Sequence, residues 1–145
     1  PQNGMAEQLK YEKRAHYPHL KPGEVLVWER FIELNPDAYV TAEYDLGIGL
    51  KPPFSTVITE TGGEELPLYL RKIDVIGRRA DGSMDFIELK PSAGPGALGQ
   101  ILGYVTLYKN LIDASARINA VVITGAVNAD MFLMAANMGV RLVLV

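Results

Sequence analysis

The stretch "LRKIDVIGRRADGSMDFIELK", residues 70–90, decides the fold that we predict for this chain. Two apolar runs flank Asp81-Gly82, a dipeptide that strongly favours a tight turn between antiparallel strands. A three-residue loop ending at Gly82 would put that glycine in the left-handed conformation that such loops favour. The sequence therefore predicts a β-hairpin that is closed by Arg79 and Ser83.

This register brings ionisable side chains together on one face of the hairpin. Counting inward from the closing pair, Asp74 lies opposite Glu88, with Cβ atoms roughly 4.5–5.5 Å apart. Alternation puts Lys90 on the same face as Glu88. Facing carboxylates repel each other unless a cation lies between them. Mg²⁺ is held by one or two carboxylates, waters and phosphate oxygens, so the hairpin predicts a divalent cation site.

The alternative interpretation of these charges is an exposed sheet face on which they are simply solvated. Both carboxylates, however, lie within apolar runs, "KIDVIG" and "FIELK". Such runs are typical of strands that are covered on both faces. A carboxylate in that setting is paired or bound to a metal, which favours the cation site.

The rest of the chain predicts one α/β domain with a mixed central sheet. Residues 1–21 are interpreted as a polar tail with a short helix around Ala6–Arg14, and residues 22–145 as the domain. Residues 51–67, with their Pro and Gly pairs, are interpreted as an extra arm or hairpin. Around the hairpin we expect helix 21–36, strand 39–46, strand 54–60, helix 97–112, strand 117–125, helix 128–139 (capped by Asn128 and ended by Gly139) and strand 140–145.

Asp74, followed by a hairpin strand that ends in Glu88-Leu89-Lys90 and then by a helix, resembles the PD-(D/E)xK nuclease superfamily. The proline that often precedes the aspartate in that family is replaced here by Ile73. The resemblance covers roughly residues 22–145. It implies a restriction-endonuclease-like core with the element order αβββαβ, followed by a further helix and strand.

Two further residues sharpen the resemblance toward the RecB-like branch of the superfamily. Gln100 and Tyr104 lie on the helix after the hairpin, four residues apart and so on one helical face. This spacing is similar to the Gln-x-x-x-Tyr element of that branch, which lies beside the metal and contacts nucleic acid. A half-buried tyrosine next to an ordinary glutamine is the alternative interpretation of the pair alone.

The family also has a glutamate on its first helix, for which Glu24, Glu29 and Glu33 are candidates. We choose Glu29, because it shares a helical face with Val25 and Ile32 and so points toward the sheet. A solvated charge at the helix edge is the equal alternative for this residue.

The resemblance implies a DNA nuclease that uses Mg²⁺ or Mn²⁺, with an endonuclease favoured over an exonuclease. In this scheme Lys90 holds the attacking water or neutralises the transition state, Gln100 orients Lys90 or the substrate, and Tyr104 contacts a phosphate. The implied metal ligands are Asp74, Glu88, the Leu89 carbonyl and, through water, Glu29.

Composition limits the other possibilities. The net charge of −3 gives no general signal for nucleic acid, so the DNA backbone needs local cations, for which Arg71, Lys72, Arg78, Arg79 and Lys109 are candidates. The absence of cysteine excludes disulfides and zinc–thiolate sites. No apolar run approaches the roughly 18 residues of a membrane span, and we expect a cytoplasmic protein.

Two other functions stay open at this stage. One is an inactive nuclease-fold module that binds DNA or protein. The other is an unrelated α/β interaction module, which predicts that Asp74 and Glu88 lie apart. A homodimer or a larger DNA-processing complex is also possible, since the apolar stretch "VRLVLV" at residues 140–145 would invite pairing at a sheet edge.

Overall fold

The computed structural model describes residues 7–50 and 70–145. The strand expected at 54–60 and the arm at 51–67 therefore lie outside the described residues. The elements in chain order are β1 (Gln8–Lys10), α1 (Pro22–Leu34), β2 (Thr41–Ile48), β3 (Arg71–Arg78), β4 (Met84–Lys90), α2 (Pro95–Leu111), β5 (Ile118–Thr124), α3 (Asp130–Met138) and β6 (Val140–Leu144).

The strands form one six-stranded sheet in the order β1-β2-β3-β4-β5-β6. Strands β1 to β4 are antiparallel neighbours, whereas β4, β5 and β6 run parallel. The two parallel pairs arise because α2 and α3 return the chain to the same end of the sheet. The predicted mixed sheet and the predicted order of its main elements are confirmed.

The predicted hairpin register is also confirmed. Strands β3 and β4 pair with Val75 opposite Ile87. The Arg79 N–H donates to the Ser83 carbonyl at 3.0 Å, which closes the loop as expected. Gly82 has φ 87°, a left-handed conformation that a residue with a side chain rarely adopts.

The short helix expected around Ala6–Arg14 is wrong. Residues Gln8–Lys10 instead form β1, which pairs antiparallel with β2. Beyond β1, Tyr11 and Tyr17 are buried in the domain core. Burying these rings removes apolar surface from water, which a solvated helix would leave exposed. The edge of β2 also offers backbone N–H and C=O groups with which β1 can pair.

Hydrophobic cores cover both faces of the sheet. On one face, Trp28 and Phe31 of α1 stack on each other with ring centroids 5.5 Å apart. On the other face, Phe86 of β4 packs edge-on against Tyr108 of α2 at 5.1 Å. Because both faces are covered, the central strands consist of nearly continuous apolar residues.

The ends of α3 differ from each other in how well the sequence predicts them. Gly139 ends the helix with φ 70°, as expected. The N-cap position is occupied by Ala129, so the expected side-chain cap by Asn128 is wrong. Asn128 contributes its carbonyl instead, which accepts the Met131 N–H at 3.0 Å.

Strands β2 and β3 twist locally at the row that contains Asp45 and Asp74. Tyr44 packs in the core on the α1 face, whereas Leu46, two residues later, packs on the α2 face. Residues two apart normally share a face. Between them Asp45 has φ 71°, which rotates the strand. The register places Asp45 level with Asp74 of β3, so the twist falls at that row.

Candidate active site

Asp74 and Glu88 come together at the end of the hairpin that lies away from its turn. The last backbone pair of the ladder joins Val75 to Ile87, and one step further the register sets Asp74 across from Glu88. There the Oδ2 atom of Asp74 accepts the backbone N–H of Leu89 at 2.9 Å. The unrelated α/β interaction module predicted that these two carboxylates lie apart, so that interpretation does not fit the observed positions.

Burial raises the pKa of both carboxyl groups above their ordinary values. For Glu88, only 3% exposed, loss of solvation is the largest cause, and the negative charge of Asp74 adds to it. For Asp74, loss of solvation is again the largest cause of the raised pKa, and the Leu89 N–H opposes it. The pair thus concentrates more negative charge than its surroundings compensate.

One oxygen of Glu88 stands out in this pair. Its Oε1 atom lies 3.5 Å from the Nζ of Lys90. Its Oε2 atom is buried and has no hydrogen-bond partner among the described residues. Because buried polar atoms in native proteins nearly always have partners, this oxygen requires a proton, a water or a cation.

Tyr104 of α2 lies beside the carboxylate pair, and the exposed Gln100 contacts Tyr104. Glu88 lies on the same side of β4 as Phe86, which contacts α2. Burial raises the pKa of Tyr104, and the charges of Glu88 and Asp74 add to this, so all three groups share one neighbourhood. The Gln100 amide donates to the Tyr104 hydroxyl at 2.6 Å. This hydrogen bond orients Tyr104, and the role of Gln100 toward Lys90 or the substrate stays a prediction.

Glu29, the α1 glutamate chosen from the sequence, is held by the N-terminal segment. Its Oε2 atom accepts the hydroxyl of Tyr17 at 3.0 Å. Glu33 lies further along α1 and pairs with Lys13. Neither contact involves the carboxylate pair.

Glu24 is the α1 glutamate whose charge raises the pKa of Asp74. The first turn of α1 lies against the end of β4, since a Cβ added at Gly23 would come within 2.9 Å of Pro91 Cγ. Pro91 directly follows Lys90, so this packing brings Glu24 toward the site. The choice of Glu29 relied on the apolar face of α1. The only sequence signal for Glu24 was its position in the first turn.

Several cations that the sequence offered for a phosphate backbone have structural partners instead. Arg79 binds both oxygens of Asp85 at 2.6 Å, and Asp85 is fully buried. Arg78 pairs with Glu43, which is also buried. Each of these arginines compensates an acid in the core, so neither is available to a ligand at the carboxylate pair.

Arg71 remains as a cation beside the site. It is exposed, and its charge lowers the pKa of Tyr104 against the effect of burial. It also lines an open groove of about 530 Å³ that runs along α2. The other described residues that line the groove are Gly99, Gln100, Gly103, Tyr104, Thr106 and Leu107.

The carboxylate pair fits a hard divalent cation by its donor set. Within residues 7–50 and 70–145, no group of three His, Cys, Asp or Glu side chains forms a metal cluster. Mg²⁺ needs only one or two carboxylates when waters and phosphate oxygens complete its shell. Asp74 and Glu88 supply that number of carboxylates. The Glu88 Oε2 atom, which has no hydrogen-bond partner among the described residues, could serve as a ligand for such an ion.

The chain is related in sequence to an endonuclease over part of its length. It is 33% identical over 81 residues to Endonuclease NucS 1 of Halobacterium salinarum. The aligned region is 55% of this chain and 32% of that protein, so the chain spans about a third of this relative. No protein-family model matches the chain.

Two solved structures resemble the chain at low sequence identity. A repair endonuclease from Pyrococcus abyssi has a TM-score of 0.49 and 17% identity, covering 90% of this chain and 49% of its own. An EndoMS–dsDNA2 complex has a TM-score of 0.48 and 18% identity, covering 94% of this chain and 48% of its own. In the part of the chain that the structure describes, no helix is long and apolar enough to cross a membrane.

Proposed function

We propose that this chain is a metal-dependent DNA nuclease domain, with endonucleolytic cleavage favoured. The observation that carries the proposal is the pair of half-buried Asp74 and buried Glu88, with Lys90 beside it and one Glu88 oxygen that has no hydrogen-bond partner among the described residues. The partial similarity to NucS 1, which is named as an endonuclease, supports the same class of reaction.

Asp74, Glu88 and the Leu89 carbonyl would hold Mg²⁺ or Mn²⁺ in this proposal. When bound, the ion supplies a water of lowered pKa and neutralises charge on the phosphate. The raised pKa values of the two carboxyl groups mean that cation binding releases protons, so binding strengthens as the pH rises.

Lys90 and Tyr104 would stabilise the phosphate during cleavage. Lys90 is partly exposed, and its ammonium group extends from the same face as Glu88 toward incoming substrate. The Tyr104 hydroxyl accepts from Gln100, so its own proton is available to a phosphate oxygen. Burial raises the pKa of Tyr104, which keeps that proton in place at neutral pH. Donors aimed at developing charge are a large source of rate enhancement.

Glu24 takes the role that the sequence suggested for Glu29, that of an acidic group reaching the ion through water. Its charge acts on Asp74, and its Oε1 atom also accepts the backbone N–H of Lys21 at 3.2 Å. The carboxylate of Glu29 accepts the hydroxyl of Tyr17. A residue of this kind acts by orienting bound water or by tuning the ligands.

The test is cleavage of linear, circular, single-stranded and branched DNA with Mg²⁺, Mn²⁺ or EDTA. We expect metal-dependent cutting of circular DNA, which an exonuclease cannot perform. Lys90→Ala should lower the rate by about 10²–10³-fold. The control is Arg117→Ala, which removes the same charge beside Asp81 in the hairpin turn, at the end of the hairpin opposite the carboxylate pair, and should cut at the wild-type rate.

Absence of cleavage for every substrate under both metals would refute the nuclease proposal. Binding of DNA without cleavage would then favour the alternative, an inactive nuclease-fold module. Equal cleavage by wild type and Lys90→Ala would mean that the active site lies elsewhere in the chain.

A further inference from the structure

The groove along α2 contains glycines that packing does not explain. Gly99 and Gly103 lie one helical turn apart inside α2, where glycine is less favourable than alanine. A Cβ added at either position would meet no atom within 4 Å among the described residues. Packing against the part of the chain that the structure describes therefore does not require them, and both line the groove.

The lining of the same groove combines charged, polar and apolar groups, which complement the phosphate, sugar and base of a nucleotide. Among the described residues that line the groove, Arg71 is the single cation, Gln100 offers an amide, and Leu107 with the bare helix backbone offers an apolar surface. A track for backbone phosphates alone would need several cations. An apolar ligand would not need Arg71. The volume of about 530 Å³ lies within the usual range for small-ligand sites.

Tyr104 connects the groove to the carboxylate pair. It lines the groove. It also lies one helical turn before Tyr108, which packs against Phe86 on the same side of β4 as Glu88. Glu88 is more than nine-tenths buried on the side of β4 that faces α2, and its Oε2 atom has no hydrogen-bond partner among the described residues. A ligand in the groove therefore lies next to the point where the proposed reaction takes place.

We propose that this groove receives the nucleotide next to the scissile phosphate of the cut DNA strand. Arg71 pairs with the phosphate of that nucleotide, and its sugar and base lie over the backbone of Gly99 and Gly103. The absence of Cβ atoms allows the strand to approach the helix closely. This inference rests on the proposed nuclease function and deepens it.

Alanine substitution separates binding from folding here. Gly99→Ala/Gly103→Ala narrows the groove while improving helix propensity. We expect its Tm to rise by about 2 °C or more, while its affinity for DNA falls about tenfold. The matched control is Gly96→Ala, on the same helix and equally open but outside the groove lining. It should raise the Tm with unchanged affinity.

Affinity is measured by fluorescence anisotropy with a fluorescein-labelled DNA that the wild type cuts, in a Glu88→Gln background that prevents cleavage. Arg71→Ala should weaken binding and lower the slope of log affinity against log salt by about one. Its control is Arg117→Ala, an equal change of charge beside Asp81 in the hairpin turn. It should leave the slope unchanged.

Wild-type affinity of the double glycine variant, or an unchanged salt slope for Arg71→Ala, would overturn the groove inference. Cleavage by the wild type in that case leaves the nuclease proposal intact. If the wild type neither binds nor cuts DNA, both fail. If the double variant does not fold, Gly103→Ala alone and the Arg71 measurement decide the question.

Discussion

Asp74 on β3 accepts the backbone N–H of Leu89 on β4, at 2.9 Å. This bond spans the hairpin beside Glu88 and fixes the Asp74 carboxylate in the row where β2 and β3 twist. The carboxylate is thus anchored to the neighbouring strand, while the adjacent Glu88 Oε2 has no hydrogen-bond partner among the described residues. An anchored acid next to an unsatisfied one is an arrangement that a cation would complete.

Glu88→Gln should stabilise the protein without metal at neutral pH. An unfolded glutamate titrates near about 4.3, and burial raises the pKa of Glu88 in the fold. Above pH 4.3 the folded state therefore holds more protons than the unfolded state, and stability falls as the pH rises through the raised pKa. Each unit of the difference is worth about 1.4 kcal/mol.

Thermal melts in EDTA, in the pH window between the pKa of an unfolded glutamate and the raised pKa of folded Glu88, measure this loss of stability. The Tm of the wild type should fall as the pH rises, and the Tm of Glu88→Gln should fall less. Glu33→Gln is the control, because Lys13 lowers the pKa of Glu33 and places its titration below the window. If the plots of Tm against pH for the wild type and Glu88→Gln run parallel, the pKa of Glu88 is not raised in the folded protein.

Glu24 and Glu29 should behave differently when each is changed to glutamine. Glu24→Gln removes a charge that acts on Asp74, and we expect a loss of about 10-fold or more in metal-dependent cleavage. Glu29→Gln keeps an acceptor for Tyr17 and should cut at the wild-type rate. Steady-state cleavage at several Mg²⁺ concentrations distinguishes them. The reverse order of activities would restore Glu29 as the acidic group.

Arg79→Ala should destabilise the fold strongly. It leaves the fully buried Asp85 with two side-chain partners among the described residues, the Tyr39 hydroxyl at 2.6 Å and the Asn119 amide at 3.1 Å. Removing one partner of a buried ion pair costs about 3–5 kcal/mol, and we expect the lower end because Arg79 is about a third exposed. Urea denaturation measures the loss.

The control for this effect is Arg117→Ala, whose ion pair with Asp81 is exposed on both sides. Such pairs contribute little, so the urea midpoint should not move. A midpoint for Arg79→Ala equal to that of the control would show that Asp85 does not depend on its arginine.

The N-terminal segment should be part of the folding unit, although the sequence suggested that the domain begins at residue 22. Tyr11 is buried and donates to the Asn35 carbonyl at 2.6 Å. Tyr11→Ala should cost about 3–5 kcal/mol, as for other buried aromatic residues. Tyr11→Phe, which keeps the ring, should cost only about 1 kcal/mol. If Tyr11→Ala is as stable as the wild type, the domain begins at residue 22, as the sequence suggested.

Local patterns were sufficient for the hairpin. Asp81-Gly82 specifies the turn, the turn specifies the register, and the period of two residues sets Asp74 against Glu88 with Lys90 on the same face. The four-residue spacing likewise puts Gln100 and Tyr104 together. Each of these relationships depends on backbone geometry over a few residues, which sequence spacing describes well.

Only the tertiary structure decided which distant side chains meet. Packing of Gly23 on Pro91 set the first turn of α1 against the end of β4, where the charge of Glu24 acts on Asp74. Buried acids, Asp85 and Glu43, took Arg79 and Arg78 out of the set of possible phosphate ligands. The sequence by itself determined the candidate acids of the hairpin, because turn and strand geometry is local. The groups that surround them depended on how helices and strands pack across the whole chain, which local spacing does not encode.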